Sequence, residues 1–158
     1  MPAGRGGRRG APGRGVVPAG RDPLTGIEVA FPVPADRAFD YLADPRNRPA
    51  WQSSLRAVAG VEGATGSEAW TDVTVVPGLR PRMRTVVSER PGRWAEEGRF
   101  GPFEARLELR FVPDGDGCRV RADFTVGALG AGPLLTLAAR PAVAADLRRA
   151  ARILASSR

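Results

Sequence analysis

The sequence predicts an α+β domain: an antiparallel sheet of about seven strands, two short helices after the first strand, and one long C-terminal helix. Three observations carry this. Apolar and polar residues alternate at period two from Ile27 and do so again in six later runs, the pattern of half-buried strands. When successive runs are paired through tight turns, opposite charges fall across from one another. The last long segment, 133–155, carries its apolar residues at helical spacing.

The elements follow in chain order. Residues 1–22 are mostly Gly, Arg, Pro and Ala with almost nothing large and apolar, so they cannot recover their ordering entropy by burial and are expected to be a disordered tail before a domain at 23–156. In the first strand Ile27, Val29, Phe31 and Val33 alternate with Glu28, Ala30 and Pro32. Pro34 opens a helix whose stripe is Ala35, Ala38, Phe39, Leu42 and Ala43, and which ends before Pro45. A second short helical piece at 46–52 presents Trp51. Six strand-like runs follow, at 54–61, 67–76, 81–90, 93–100, 103–112 and 118–127.

Turn chemistry fixes the expected register. A two-residue turn at Pro91-Gly92 pairs Arg90 with Arg93, which sets Val87 opposite Glu96 and Thr85 opposite Gly98. A second turn at Gly101-Pro102 sets Phe100 opposite Phe103. Met83, Thr85, Val87, Trp94, Glu96 and Phe100 then share a face with Phe103, Ala105, Leu107, Leu109 and Phe111. The opposite face pairs Glu97 with Arg106 and Arg99 with Glu104. Cys118, Val120, Ala122, Phe124 and Val126 continue the dry side in the last strand. For the run around Trp70 the face stays open, because Ala69, Thr71, Val73 and Val75 compete with Trp70, Asp72, Thr74 and Val76.

A sheet with one dry face needs a cover. Leu135, Ala139, Val143, Leu147, Ala150 and Leu154 form a seam along one side of the last helix, with Asp146 largely off it. Pro141 inside this segment removes a hydrogen bond and crowds the carbonyl of Leu137, so a kink or a break into two helices is expected.

Composition narrows the chemistry. The 158 residues include 24 arginines, no lysine, no histidine and a single cysteine, Cys118. That excludes His-based triads, Cys-His dyads, lysine Schiff bases, His-ligated zinc or haem, and any disulfide framework within the chain. No metal or other cofactor is expected. The net charge is +7, of which five charges sit on Arg5, Arg8, Arg9, Arg14 and Arg21. This stretch resembles Arg-Gly segments that bind nucleic acid by charge and stacking, yet no specific nucleic-acid partner is expected. Ala, Gly, Pro and Arg dominate, as in a chain from a GC-rich bacterium, so the arginine excess carries little functional information. No apolar stretch approaches the ~18 residues of a membrane span, and no signal peptide is visible, so a cytoplasmic protein is the expectation.

The order of elements and the local sequence together resemble a known superfamily. "IEVAFPVPADRAFDYLADPRNRPAW", "GSEAWTDVTV", "TVVSERPGRWAEEG" and "CRVRADFTV" are similar to the START-like, helix-grip (SRPBCC) proteins, in particular the polyketide cyclase/dehydrase and lipid-transport group. The resemblance runs from about Leu24 to Leu154. It implies a curved sheet wrapped around the C-terminal helix, with a ligand cavity between the two. It also implies binding of a small hydrophobic or aromatic, lipid- or polyketide-like molecule. One alternative is a cyclase or dehydratase working by proton transfer. Another is an interaction module whose basic tail meets nucleic acid or an anionic surface.

Glu96 is the expected catalytic candidate, because the register puts a carboxylate on a face otherwise made of Met83, Trp94, Leu107, Leu109 and Phe124. A dry cavity would raise its pKa toward that of a general acid or base. The plainer reading is a carboxylate wetted at the sheet end or paired with an arginine. Tyr41, the only phenol, is a second catalytic candidate, with packing at a helix edge as the alternative. Trp51, Trp70 and Trp94 offer flat apolar surface for a ligand and fit equally well as core. The expected ligand-binding lining is completed by Met83, Thr85, Phe103, Leu107, Leu109, Phe124, Leu135 and Val143.

Overall fold

The structure is a computed structural model that describes residues 26–127 and 132–157; the tail assigned to 1–22 lies outside them. The elements run β1 (Ile27–Phe31), α1 (Ala35–Ala43), a 3-10 turn (Pro45–Asn47), α2 (Arg48–Trp51), β2 (Leu55–Glu62), β3 (Ala69–Thr74), β4 (Arg82–Glu89), β5 (Arg93–Phe100), β6 (Phe103–Asp114), β7 (Gly117–Gly127) and α3 (Gly132–Ser156). The strands form one sheet in the order β1-β7-β6-β5-β4-β3-β2, with every neighbouring pair antiparallel. All seven expected strands, the two short helices and the long last helix are present. β1 closes against β7, with Val29 opposite Val120, so the first and last strands carry the packed end of the sheet.

The core follows the expected alternation. Ile27, Val29, Phe31 and Val33 from the first strand region meet Phe39 and Leu42 of α1, Leu109 and Phe111 of β6, Val120 of β7, and Leu147 and Leu154 of α3. Phe39 and Phe111 stack at 5.3 Å between ring centres in a tilted pair, a geometry that suits the ring quadrupoles. Cys118 is buried, and desolvation pushes its thiol up to about 11, as expected for an inert core cysteine.

β5 and β6 pair as expected, with Phe100 opposite Phe103, and the ion pairs Arg106–Glu97 (2.8 Å) and Arg99–Glu104 (2.9 Å) lie on the wet face. The β4–β5 register differs from expectation. Glu89, not Arg90, lies opposite Arg93, so the connection is the three-residue loop Arg90-Pro91-Gly92, closed by Gly92 N donating to Glu89 O at 2.8 Å. A bulge between Thr85 and Val87 then absorbs one extra residue, so Thr85, not Val87, faces Glu96 and Met83 faces Gly98. Two one-residue irregularities restore the side-chain parity. Met83 and Thr85 therefore keep their expected face, and Val87, paired with Ala95, moves to the other.

α3 also departs from expectation. It runs unbroken through Pro141. Its buried residues beyond Gly132 are Asp146, Leu147, Ala150, Ala151 and Leu154, all in its second half. Leu135, assigned to the seam, is 40% exposed, and Leu134 and Leu137 are more so, at 73% and 62%. Asp146 lies on the packed side because its carboxylate accepts the backbone N–H of Ser53 at 3.0 Å, tying α3 to the segment after α2.

Candidate functional site

A cavity of about 220 Å3 opens on the dry face of the sheet. Its far wall is α2 and the start of β2, through Arg48, Gln52, Ser54 and Leu55, and among the described residues none of α3 lines it. The expected position between sheet and C-terminal helix is therefore corrected: the second half of α3 packs directly on β1 and β7, and the free space lies beside α2. The strands supply Met83, Gly98, Ala105, Leu107, Phe124 and Val126. Gly98 faces Ala105 across β5 and β6, whereas the flanking pairs are Glu96–Leu107 and Phe100–Phe103. Two small residues between larger ones leave the space. Phe100 and Phe103, 41% and 46% exposed, form an apolar rim, and the polar end is deeply buried.

That polar end is an ionic cluster. Arg48 is the first residue of α2, and Pro45, Asp44 and Pro49 set the short turns that deliver it: Asp44 accepts Arg46 N–H at 2.9 Å, and the prolines occupy early helical positions where a missing N–H costs little. Its guanidinium donates from Nη2 to Asp72 at 3.1 Å and from Nη1 to Glu96. Asp72 also accepts the Trp70 indole N–H at 2.9 Å, and the guanidinium lies over the Trp70 ring at 5.3 Å, a cation–π contact. Arg48, Asp72 and Glu96 are each no more than 3% exposed. Charges this deep are tolerated only when paired.

Burial pushes Glu96 above its ordinary pKa of 4.5, and Arg48 draws it only part of the way back. Burial alone would lower the Arg48 pKa; Glu96 and Asp72 reverse this and hold it above its ordinary value. A carboxyl with a raised folded-state pKa contributes stability below the unfolded value of 4.5 that is lost as the pH rises toward the folded value. Glu108 on the wet face has the opposite sign. Hydrogen bonds from Arg93 and Arg110 overcome its burial and hold it down to about 2, so its contribution is complete above 4.5 and lost as the pH falls toward 2. The two windows do not overlap. Glu96→Gln is therefore expected to remove the loss of stability that sets in just above pH 4.5 and to leave the acid limb below it unchanged, as read from urea midpoints across the pH range.

The other expected site residues sort by position. Met83, Phe103, Leu107, Phe124 and Glu96 line the cavity. Trp51, Trp94 and Leu109 are fully packed core and do not reach it. Trp70 backs Arg48, and Thr85 donates to Glu68 at 3.2 Å. Val143 is half-buried against the core, and Leu135 is exposed. Tyr41 on α1 lies outside the lining, and burial raises its pKa against the pull of Arg149. Sequence reasoning missed Arg48, one of 24 arginines, although a lone acid on a dry face called for a cation. Among the described residues no group of three or more Cys, Asp or Glu side chains is placed to hold a metal ion.

The architecture and the internal cavity define a protein of the START-like, helix-grip class. The model of the polyketide cyclase / dehydrase and lipid transport family matches residues 27–157, and the chain belongs to that family. Solved structures agree on the fold. TTHA0849 from Thermus thermophilus is similar with a TM-score of 0.66 at 17% identity, covering 84% of this chain and 97% of that one. MLL2253 from Mesorhizobium loti reaches 0.69 at 12% identity, covering 84% and 97%. The di-domain ARO/CYC StfQ of the steffimycin biosynthetic pathway reaches 0.65 at 14% identity over 84% of this chain, which spans 52% of that protein. No curated protein sequence matches the chain. No helix among the described residues is long and apolar enough to cross a membrane.

Proposed function

We propose that the chain binds a small hydrophobic or aromatic molecule in the cavity beside α2. The observation that carries this is the gradient along the cavity, from an exposed Phe100–Phe103 rim, past Met83, Leu107 and Phe124, to one buried polar cluster. An apolar wall with a few convergent polar groups is the usual composition of a ligand site. At about 220 Å3 the space is smaller than the roughly 300–1,000 Å3 of drug-sized sites, which favours one or two fused rings over a long acyl chain. The family and its structural neighbours, one of them an aromatase/cyclase, support the same class of ligand.

The test is a titration of the purified protein with an apolar fluorophore, together with native mass spectrometry of protein taken from its own host. Saturable binding with micromolar affinity, reversed by bicyclic aromatics, is the expected result. Absence of binding by either method, at any protein concentration, would reduce the cavity to a packing defect.

A second reading is a cyclase- or dehydratase-type proton transfer, favoured by one observation: Glu96 is a cavity carboxyl whose pKa is raised. Glu96 would act as the proton carrier, with Arg48 holding it in place. Tyr41, outside the lining, has no part in this reading. Turnover of a bound polyketide-type substrate that is lost in Glu96→Gln, with binding retained, distinguishes the enzyme from a carrier.

A further inference from the structure

The outward side of α3 is an apolar stripe that turns basic. Leu134, Leu137, Pro141, Ala145, Arg148 and Arg152 recur at spacings of 3, 4, 4, 3 and 4, which puts them along one side of the helix, and all six are exposed. Arg149, four residues after Ala145, joins the basic end. The packed residues Leu147, Ala150, Ala151 and Leu154 lie on the opposite side. Over 133–145 the one charged residue is Arg140, which falls off the stripe, so about three turns of solvent-facing helix carry no charge. Charged and polar residues are what such a face ordinarily carries. Among the described residues no carboxylate pairs with Arg148, Arg149 or Arg152, and the only acid of α3, Asp146, is buried on Ser53.

From this juxtaposition we infer that the outer face of α3 docks on an anionic lipid surface, with Leu134 and Leu137 entering the apolar layer and Arg148, Arg149 and Arg152 meeting lipid phosphates. Leucines beside arginines, with no exposed acid between them, suit the boundary between acyl chains and negative headgroups. A second copy of the same face fits poorly, because it offers the three arginines no carboxylate in either orientation. The placement of the apolar end gives the docking a direction. Gly132 lies so close to Val126 O that a Cβ would not fit, and Thr136 Oγ1 accepts the Val126 N–H at 2.9 Å. Val126 lines the cavity, and the next residue, Gly127, faces Glu104, the neighbour of the rim residue Phe103. The leucines are thus carried at the rim end of the sheet. Docking itself does not depend on the ligand-binding reading above.

The experiment sediments the full chain, with no ligand added, with vesicles of phosphatidylcholine alone and of phosphatidylcholine with one-third phosphatidylglycerol. Binding about tenfold or more tighter to the mixed vesicles is expected. Leu134→Gln with Leu137→Gln should weaken it about tenfold or more, through the lost apolar contact and with no change of charge. Arg148→Gln, Arg149→Gln and Arg152→Gln together should weaken it on the order of a hundredfold, about fivefold for each arginine. All five positions are exposed, so the midpoints of thermal unfolding should match that of the unaltered chain, which separates lost docking from lost folding. Should one set of substitutions not fold, the other decides. The inference is overturned if the full chain does not sediment with the mixed vesicles, or if either folded set binds them as well as the unaltered chain, as it would were the arginines of 1–22 the only contact. A dimer in solution that the leucine substitutions dissociate also overturns it, since the face would then belong to a second copy. The fluorophore titration described above reads ligand binding separately, so either conclusion can fail without the other.

Discussion

Replacing Arg48 by methionine is expected to destabilise the domain by about 3–5 kcal/mol, the effect of removing one partner from a buried ion pair. Methionine fills much of the same volume, so the loss is electrostatic rather than steric. Asp72 and Glu96 would remain in the interior, each no more than 3% exposed, without the cation that both of them contact. Trp70 would also lose the guanidinium above its ring. For a domain of this size the midpoint of thermal unfolding should fall by more than about 10 °C. The companion variant neutralises all three positions, Arg48→Met with Asp72→Asn and Glu96→Gln. It is expected to recover most of the loss, because no uncompensated charge is then buried. Equal stability of Arg48→Met and the unaltered chain would mean that water reaches the cluster and that the polar end of the cavity is open.

What could be read from the sequence, and what could not, divides along the difference between local and long-range constraints. The β5–β6 hairpin was legible residue by residue, since the Gly101-Pro102 turn and the opposed charges Arg99–Glu104 and Glu97–Arg106 reinforce a single register. At Arg90-Pro91-Gly92 a two-residue and a three-residue connection are both compatible with the same residues, and the bulge beside Val86 has no Gly or Pro to announce it. Parity survived only because those two irregularities offset each other. Glu96 was legible as an anomaly, an acid on a dry face. Its partner was not, because Arg48 lies 48 residues away on a four-residue helix, and no local pattern separates it from the other arginines. The position of the cavity was misplaced for a related reason. The seam spacing in α3 is regular from Leu135 to Leu154, but spacing does not say how deeply each turn of the helix is covered, and the buried residues beyond Gly132 all fall in the second half.

Filling the cavity should separate binding from folding. Ala105 lines the cavity on β6 and faces Gly98, so its side-chain direction is into the space that a ligand would occupy. Ala105→Phe puts a ring there and covers apolar wall with apolar surface, so unfolding should occur at or above the original midpoint. Ligand affinity should fall from micromolar to millimolar or weaker, about a thousandfold, or roughly 4 kcal/mol of binding free energy. Gly98→Ala approaches the same end from the facing strand. A Cβ at Gly98 would sit 2.5 Å from Met83 Sδ and 2.9 Å from Met83 Cε, so the thioether must shift, and it is the flexible end of a side chain that itself lines the cavity. A smaller loss of affinity, with little change in stability, is expected from it. Fluorophore titration and thermal unfolding on both variants measure the two quantities independently. Retained affinity in a folded Ala105→Phe protein would place the ligand elsewhere on the molecule and remove this cavity from its function.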